Sequence, residues 1–417
     1  MARTIYAAGR ERQERQERIE NEEEFAPLER RGHMDMPFLL LVLILLTVGV
    51  VMVLSASYAS AYYERGNPTY YFTRQLAFAA AGAAGMILVS RFTVQFMRRW
   101  SMWLLAGSIA LLVLVLIVAE PIHGVRRWFD LKITTVQPSE IAKVGIIMSF
   151  SVMMCKYGES LRRFRLKNSA WKGFLRAAAP FAGALAATVA LLLVEPHNSA
   201  AIIIVAIAAV VMFAGGLDLR LCVLAIGIAA LAAAFVIGKA ESSYADVVES
   251  GGGAYAMRRI VFWLHPEADP TDGGYQVLQS LYAVGSGGLT GVGLGQSRQK
   301  YLYLPEEHND YIFAIVCEEL GFIGAALILA LFALLIIRGF WIAMHARGKF
   351  DALVAAGITG MLAIQVFLNI SVVTNLLPCT GISLPFFSYG GSALLMQLAE
   401  MGIILSISRD MPITRAG

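Results

Sequence analysis

The chain has 417 residues, of which 58% are hydrophobic and only 15% charged, with a mean hydropathy of +0.64. Soluble globular chains run at roughly 45–50% apolar and about 25% charged, so this composition belongs to an integral membrane protein. A net charge of +4, with much of the basic charge in short loops, excludes a nucleic-acid footprint. Cys155, Cys222, Cys317 and Cys379, which form no C-x-x-C pair, suggest neither a disulfide framework nor a zinc site.

Residues 1–33 read as a charged cytoplasmic tail, and Arg and Glu at i, i+3 and i+4 within 9–31 suit a solvated helix. A span needs about 20 mostly apolar residues. Such windows fall at 37–58, 72–92, 101–119, 139–156, 175–194, 199–216, 219–239, 311–337, 351–375 and 384–408. The expected fold is therefore an all-α polytopic membrane domain over 34–410, with about ten transmembrane helices and a short tail at 411–417. Ser55-Ala56-Ser57 has the small residues of a signal-peptide cleavage site, but the long polar segment before the first span favours an uncleaved anchor.

Lys and Arg concentrate in the loops after spans 2, 4 and 8, including Arg91, Arg98, Arg99, Lys156, Arg162, Arg163, Arg165, Lys167, Lys172, Arg338, Arg347 and Lys349. The tails add Arg30, Arg31 and Arg409, so the bias puts both termini on the cytoplasmic side of the inner membrane. Arg126, Arg127 and Lys132, after span 3, are basic charges kept on the other side. Beside Trp128 they suit either a diphosphate-like anion or interfacial anchoring.

One large extracytoplasmic loop, about 240–310, joins spans 7 and 8. Its run GSGGLTGVGLG (285–295) lacks the G-x-G-x-x-G register and a preceding strand, so it is not a nucleotide site. Nucleotides are scarce outside the cell, so no nucleotide cofactor is expected and a reaction here must draw its energy from the substrate. The run reads as a flexible surface loop or as a lid over a groove.

The densest polar cluster follows, from Gln296 to Asp310, and contains Arg298, Lys300, Glu306, Glu307 and His308. Asp310 is the last polar residue before span 8. It suits a helix N-cap, or a general base whose carboxyl is partly desolvated, or both. Glu306, Glu307, His308 and Asp310 offer ligands for a divalent ion without a standard metal spacing. Within the spans, Glu140 and Lys143 sit at i, i+3 and can pair, Glu195 and His197 flank Pro196, and Glu318 and Glu319 fall in the second turn of span 8. Gln365, Asn369, Gln397 and Glu400 suit hydrogen bonding between helices. These residues fit processing of an amphiphilic anionic lipid, or its transport.

Several stretches in this order resemble the SEDS family of bacterial cell-wall polymerases, the FtsW, RodA and SpoVE proteins. They are Gly124-Val-Arg-Arg-Trp128, Gln137-Pro-Ser-Glu-Ile-Ala-Lys143, Glu195-Pro196, Gly274-Tyr-Gln-Val-Leu-Gln-Ser280, Gly285-Ser-Gly-Gly288, Gly291-Val-Gly-Leu-Gly-Gln-Ser297, Leu304-Pro-Glu-Glu-His-Asn-Asp310, Glu318-Glu-Leu-Gly321 and Leu384-Pro-Phe-Phe-Ser-Tyr-Gly-Gly-Ser392. Pro-Phe-Phe-Ser-Tyr-Gly-Gly and Gln-Lys-Tyr-Leu-Tyr-Leu-Pro lean toward the FtsW/SpoVE branch. Asn309 stands where the family usually carries Thr, and His197 lies where the family pattern varies.

The resemblance implies a peptidoglycan glycosyltransferase that polymerises lipid II for cell division or related wall synthesis, releasing undecaprenyl diphosphate with inversion. It implies Asp310 as the catalytic base and Arg126, Arg127, Lys300 and Arg258 as diphosphate ligands. Glu306, His308, Glu140, Lys143, Glu195 and Ser388 are expected in the substrate site. It further implies a divalent cation (Mg2+ or Mn2+) on the diphosphate, and a class B penicillin-binding protein within divisome or elongation-type machinery as partner. That partner is expected to contact spans 8 and 9 and the 240–310 loop. A lipid II flippase and a non-catalytic scaffold for that transpeptidase stand as alternatives.

Overall fold

The computed structural model describes residues 32–121, 125–131, 134–162, 170–249, 252, 255–271 and 273–411. The whole of the expected tail helix (9–31), including Arg30 and Arg31, lies outside the described residues, as do Gly124, Lys132, Arg163, Arg165, Lys167 and residues 412–417.

The elements in chain order are α1 (Met36–Arg65), α2 (Tyr70–Val89), α3 (Val94–Val118), the two-residue strands β1 (Phe129–Asp130) and β2 (Thr135–Val136), α4 (Pro138–Arg162), α5 (Ala170–Val194), α6 (Asn198–Ala214) and α7 (Leu219–Ser242). There follow α8 (Tyr244–Glu249), α9 (Tyr255–Leu264), α10 (Tyr275–Ser286), α11 (Ile312–Met344), α12 (Lys349–Val373) and α13 (Gly391–Arg409). Among the described residues, nine helices are long and apolar enough to cross a membrane. The tenth expected span is α6, whose 17 residues reach only about 25 Å at roughly 1.5 Å per residue.

Local sequence sets these boundaries. Asp35 caps α1 by accepting the Phe38 N–H at 2.9 Å, Pro37 occupies the first turn, and Gly66 ends the helix in the left-handed region at φ 66°. α4 and α12 form the centre, with 72% of each apolar window inside the protein. Around them α3 packs on α4, α6 on α12 and α4, α13 on α2, and α1 on α2 and α11. α7 stands apart: among the described residues Ala240 is the one buried position on it, and it packs mainly on α6, α8 and α9.

The structure differs from the sequence expectation at two places. The last span starts at Gly391 rather than 384. Leu384–Phe387 are apolar and buried, but Phe386 has φ 65° and the chain turns there, with Ser388 Oγ accepting the Leu384 N–H at 2.7 Å. The 240–310 segment is also not a structureless loop, because it carries α8, α9 and α10.

α11 is broken at Gly321 (φ 67°, ψ −171°), which interrupts its ladder of backbone hydrogen bonds. The glycine-rich run supplies the missing partners. Val292 and Gly293 N–H donate to the Glu318 and Glu319 carbonyls, both at 3.0 Å. Phe322 and Ile323 N–H donate to the Gly288 and Leu289 carbonyls at 2.9 and 3.1 Å. A Cβ at Gly291 would stand 2.1 Å from the Glu319 carbonyl oxygen, and one at Gly321 would stand 2.2 Å from the Gly291 nitrogen. Only glycine permits this approach, so the run is a brace for a broken helix, neither a free loop nor a lid.

Candidate active site

Asp310 lies just ahead of α11 but does not cap it. The N-cap position is Tyr311, whose side chain makes no cap bond. Instead, the backbone around Asp310 is pinned from three directions. Asn369 Nδ2 on α12 donates to the Asp310 carbonyl at 2.8 Å and to the Ile382 carbonyl at 2.7 Å. Ser388 Oγ donates to the Asn309 carbonyl at 2.7 Å, and Tyr389 N–H to the His308 carbonyl at 2.9 Å. Tyr311 N–H donates to the Glu306 carbonyl at 3.2 Å.

The Asp310 side chain turns toward Gly381 (φ 67°), where an added Cβ would stand 3.3 Å from Oδ2. Among the described residues, no hydrogen-bond donor reaches its carboxyl. Burial, then the nearby Glu306 carboxylate, push the group up to about 6, opposed by the positive charge of Arg259 and by His308. A carboxyl held in place by its backbone, short of partners and made more basic than usual suits proton abstraction.

The other residues expected near Asp310 are distributed as follows. His308 stacks on the Tyr71 ring at 4.5 Å and places Nδ1 3.2 Å from Glu307 Oε1. Glu306 Oε2 accepts from Asn309 Nδ2 at 2.6 Å. Ser388 acts through its backbone contacts. Arg258 lies over the Phe262 ring at 5.8 Å, whereas its neighbour Arg259 is the guanidinium on the Asp310 side, donating to the Cys379 carbonyl at 3.3 Å. Trp263 Nε1 donates to the Asn375 carbonyl at 3.1 Å and ties α9 to the same loop.

A second cluster gathers between α4, α5 and α6. Lys143 Nζ pairs with Glu140 Oε2 at 2.6 Å, and Glu400 of α13 lies in the field of both. Arg127 donates to the carbonyls of Glu195 (3.1 Å) and Pro196. Gln137 Nε2 lies 3.4 Å from His197 Nε2. Burial pushes Glu195 up to about 7, with Arg127 drawing it back, and burial, Arg127 and Lys143 push His197 down to about 3. Among the described residues, the buried Glu195 Oε1 oxygen has no hydrogen-bond partner. Ser199 Oγ donates to the Thr380 carbonyl, so the segment 379–381 borders both clusters.

Two expected ligands point elsewhere. Arg126 Nη1 donates to the Leu116 carbonyl at 3.0 Å. Lys300 is buried and pairs with Glu319 Oε1 at 2.9 Å, and its Nζ also reaches Ser55 Oγ at 3.3 Å. A buried lysine with its charge already matched leaves no face for a diphosphate. The expected metal ligands also fail to converge: among the described residues no three His, Cys, Asp or Glu side chains could hold an ion together. Glu306 is turned to Asn309 and Glu307 to His308, so these residues do not fit a resident cation.

Sequence reasoning missed Arg259 and the role of Asn369. Arg259 sits beside Arg258 in the same basic pair, and the helical phase of α9 chooses between them. Asn369 read as general helix-to-helix glue.

The family model described as cell cycle protein, for FtsW, RodA and SpoVE, matches residues 36–412. The chain belongs to this family. It is 39% identical to the stage V sporulation protein E of Bacillus subtilis, over 90% of this chain and 97% of that protein. It is also 39% identical to the probable peptidoglycan glycosyltransferase FtsW of Trichlorobacter lovleyi, over 92% of this chain and 95% of that protein. These two relatives carry the names of the branch expected from the Phe-Phe-Ser-Tyr-Gly-Gly stretch. Among solved structures it resembles a chain of a peptidoglycan synthase complex that coordinates polymerization and crosslinking, with a TM-score of 0.69 and 29% identity over 90% of this chain and 98% of that one. The rod shape determining protein RodA of Thermus thermophilus is similar at a TM-score of 0.62 and 27% identity, over 91% and 97% of the two chains. The protein is thus a multi-pass membrane member of the family over almost its whole length.

Proposed function

We propose that this protein is a peptidoglycan glycosyltransferase that polymerises lipid II at the outer face of the cytoplasmic membrane, with both termini cytoplasmic. The observation that carries the reading is Asp310, a carboxyl pinned by its backbone, turned toward Gly381 and pushed up to about 6. In the reaction, the Asp310 carboxylate takes the proton from the 4-hydroxyl of an acceptor GlcNAc. The freed oxygen attacks C1 of the donor MurNAc, the bond from C1 to undecaprenyl diphosphate breaks, and the anomeric configuration inverts. The donor arrives activated, so no nucleotide is needed. Arg259 supplies positive charge beside the reacting centre, and Arg127, Lys143, Glu140 and Glu195 line the neighbouring cluster across 379–381. A positioned base accelerates by about 10²–10⁴-fold.

The similarity to a chain of a synthase complex supports a transpeptidase partner, a class B penicillin-binding protein, and the FtsW and SpoVE relatives support a role in division or spore-wall synthesis. Purified protein incubated with labelled lipid II, with and without that partner, tests the reading. Wild type makes polymer and Asp310→Asn loses at least about a hundredfold of the rate. A flippase keeps transbilayer movement of lipid II but gives no polymer from the wild type. A scaffold gives neither, and polymer from Asp310→Asn at the wild-type rate removes Asp310 from the chemistry.

A further inference from the structure

Two cross-links between α1 and α11 act as a ruler for membrane depth. At one end Arg338 Nη2 pairs with Asp35 Oδ2 at 2.6 Å, and at the other Ser55 Oγ donates to Glu319 Oε2 at 2.6 Å. Twenty residues separate Asp35 from Ser55 and nineteen separate Glu319 from Arg338. At roughly 1.5 Å per residue both intervals are about 28–30 Å, which matches a hydrocarbon core of about 30 Å. The interval between the two cross-links is thus long enough to hold that core, with one cross-link at each edge.

The glycine-rich run sits below the upper edge. Ile323, whose N–H donates to the Leu289 carbonyl, lies roughly 22 Å above Arg338 along the helix, and Phe322, bonded to the Gly288 carbonyl, is 67% exposed on the flank of the span. The tip of the run is thus carried to a depth inside the leaflet at the Ser55 end. Irregular backbone at that depth is tolerated only where its polar groups are satisfied. The four bonds across the break in α11, with Gly291 N–H to the Gly287 carbonyl at 2.8 Å, meet that requirement.

The side chains follow the same logic. Leu289, Val292 and Leu294 are exposed at 69%, 44% and 55%, and no charged residue occurs between Gly285 and Gly295. Further along, Lys300 and Leu304 are buried anchors, and the three residues between them, Tyr301, Leu302 and Tyr303, all point out of the protein. Lys300 Nζ reaches Ser55, which sets this turn at the membrane edge, within one helical turn of the exposed Tyr58 of α1. Tyrosines at that level form an interfacial belt.

We propose that residues 287–303 form a re-entrant membrane anchor. Leu289, Val292 and Leu294 lie among the acyl chains of the leaflet at the Ser55 end, and Tyr301 and Tyr303 lie at its headgroups. The occupant of this apolar surface is lipid, because its depth is that of the hydrocarbon and its exposed face continues the flank of α11 at Phe322 and Ile323.

The test uses the full chain in phosphatidylethanolamine/phosphatidylglycerol vesicles with brominated acyl chains, in a background with Cys155, Cys222, Cys317 and Cys379 replaced by Ser. An environment-sensitive fluorophore is attached at Leu294→Cys or Leu302→Cys, with Glu267→Cys as a water-facing control. The label at 294 loses most of its emission to the brominated chains, the label at 302, at headgroup level, loses a smaller share, and the label at 267 loses none. Equal, negligible quenching at all three sites overturns the anchor and leaves a protein partner as the occupant. Hydroxyl-radical footprinting of the unmodified chain in lipid nanodiscs gives a second readout that needs no cysteine changes. Leu294, Tyr301 and Tyr303 are protected there, whereas oxidation of all three at the level of exposed Tyr244 overturns the anchor. Asp310→Asn carrying the same labels quenches identically, so this test stands apart from the catalytic reading.

Discussion

Glu319 and Asp310 are two carboxylates at the head of α11, nine residues apart, and their surroundings are opposite. Glu319 is fully buried, paired with Lys300 and bonded by Ser55 Oγ and by Ser297 N–H at 3.3 Å. Its neighbour Glu318 accepts from Ser297 Oγ and from the N–H groups of Arg298 and Gln299 at 2.9 and 3.4 Å. Every carboxylate oxygen there accepts at least one hydrogen bond, which is how a buried charge is made tolerable. Asp310 has its backbone held as firmly, yet its carboxyl is left short of partners and pushed up to about 6. One group holds the structure; the other is held by it and, in the proposed reaction, keeps its lone pairs for the substrate.

The comparison breaks most sharply at Lys300. Lys300→Ala leaves Glu319 charged and buried without its partner, an expected loss of about 3–5 kcal/mol, read as a drop in Tm or in folded yield. The double change Lys300→Met with Glu319→Gln keeps an acceptor for Ser55 and Ser297 and recovers most of that loss. Gly321→Ala comes next, because the added Cβ meets the Gly291 nitrogen at 2.2 Å in a left-handed backbone; about 1–3 kcal/mol is expected from the strain alone. Gly295→Ala has a similar φ of 81° but nothing within 4 Å, so thermal unfolding shows a smaller loss there.

At Asp310 the sign reverses. Its folded value, about 6, lies above the ordinary 3.8. Any stability the group lends is therefore present at low pH and lost as pH rises from about 4 through 6. Asp310→Asn accordingly unfolds at the wild-type temperature or slightly higher at pH 7.5, with the gap closing toward pH 5, in a thermal scan. The smallest effect is at Arg259. Its positive charge lowers the Asp310 value, so Arg259→Gln moves the acid limb of the rate profile upward by a fraction of a pH unit.

The membrane spans were legible because apolar runs of sufficient length leave few alternatives in lipid. The beginning of α13 was not, since the run Leu384–Phe387 is apolar for burial in a turn, and hydropathy does not distinguish a buried turn from a span. Asp310 stood out in sequence by its position at the edge of span 8. The partner of Lys300 did not, because Glu319 lies nineteen residues on and the broken helix that brings the two together is formed by the glycine run. The choice of Arg259 over Arg258 depends on how α9 is rotated against 375–379, a tertiary matter.

The central claim is that Asp310, as a carboxylate, accepts the acceptor-sugar proton. The most direct measurement is the pH dependence of the polymerisation rate of purified protein with saturating lipid II. The account predicts a plateau above about pH 6 and a tenfold fall per pH unit below it, the behaviour of one group that must be ionised. A rate that stays flat down to pH 4.5, with the protein still folded, contradicts it.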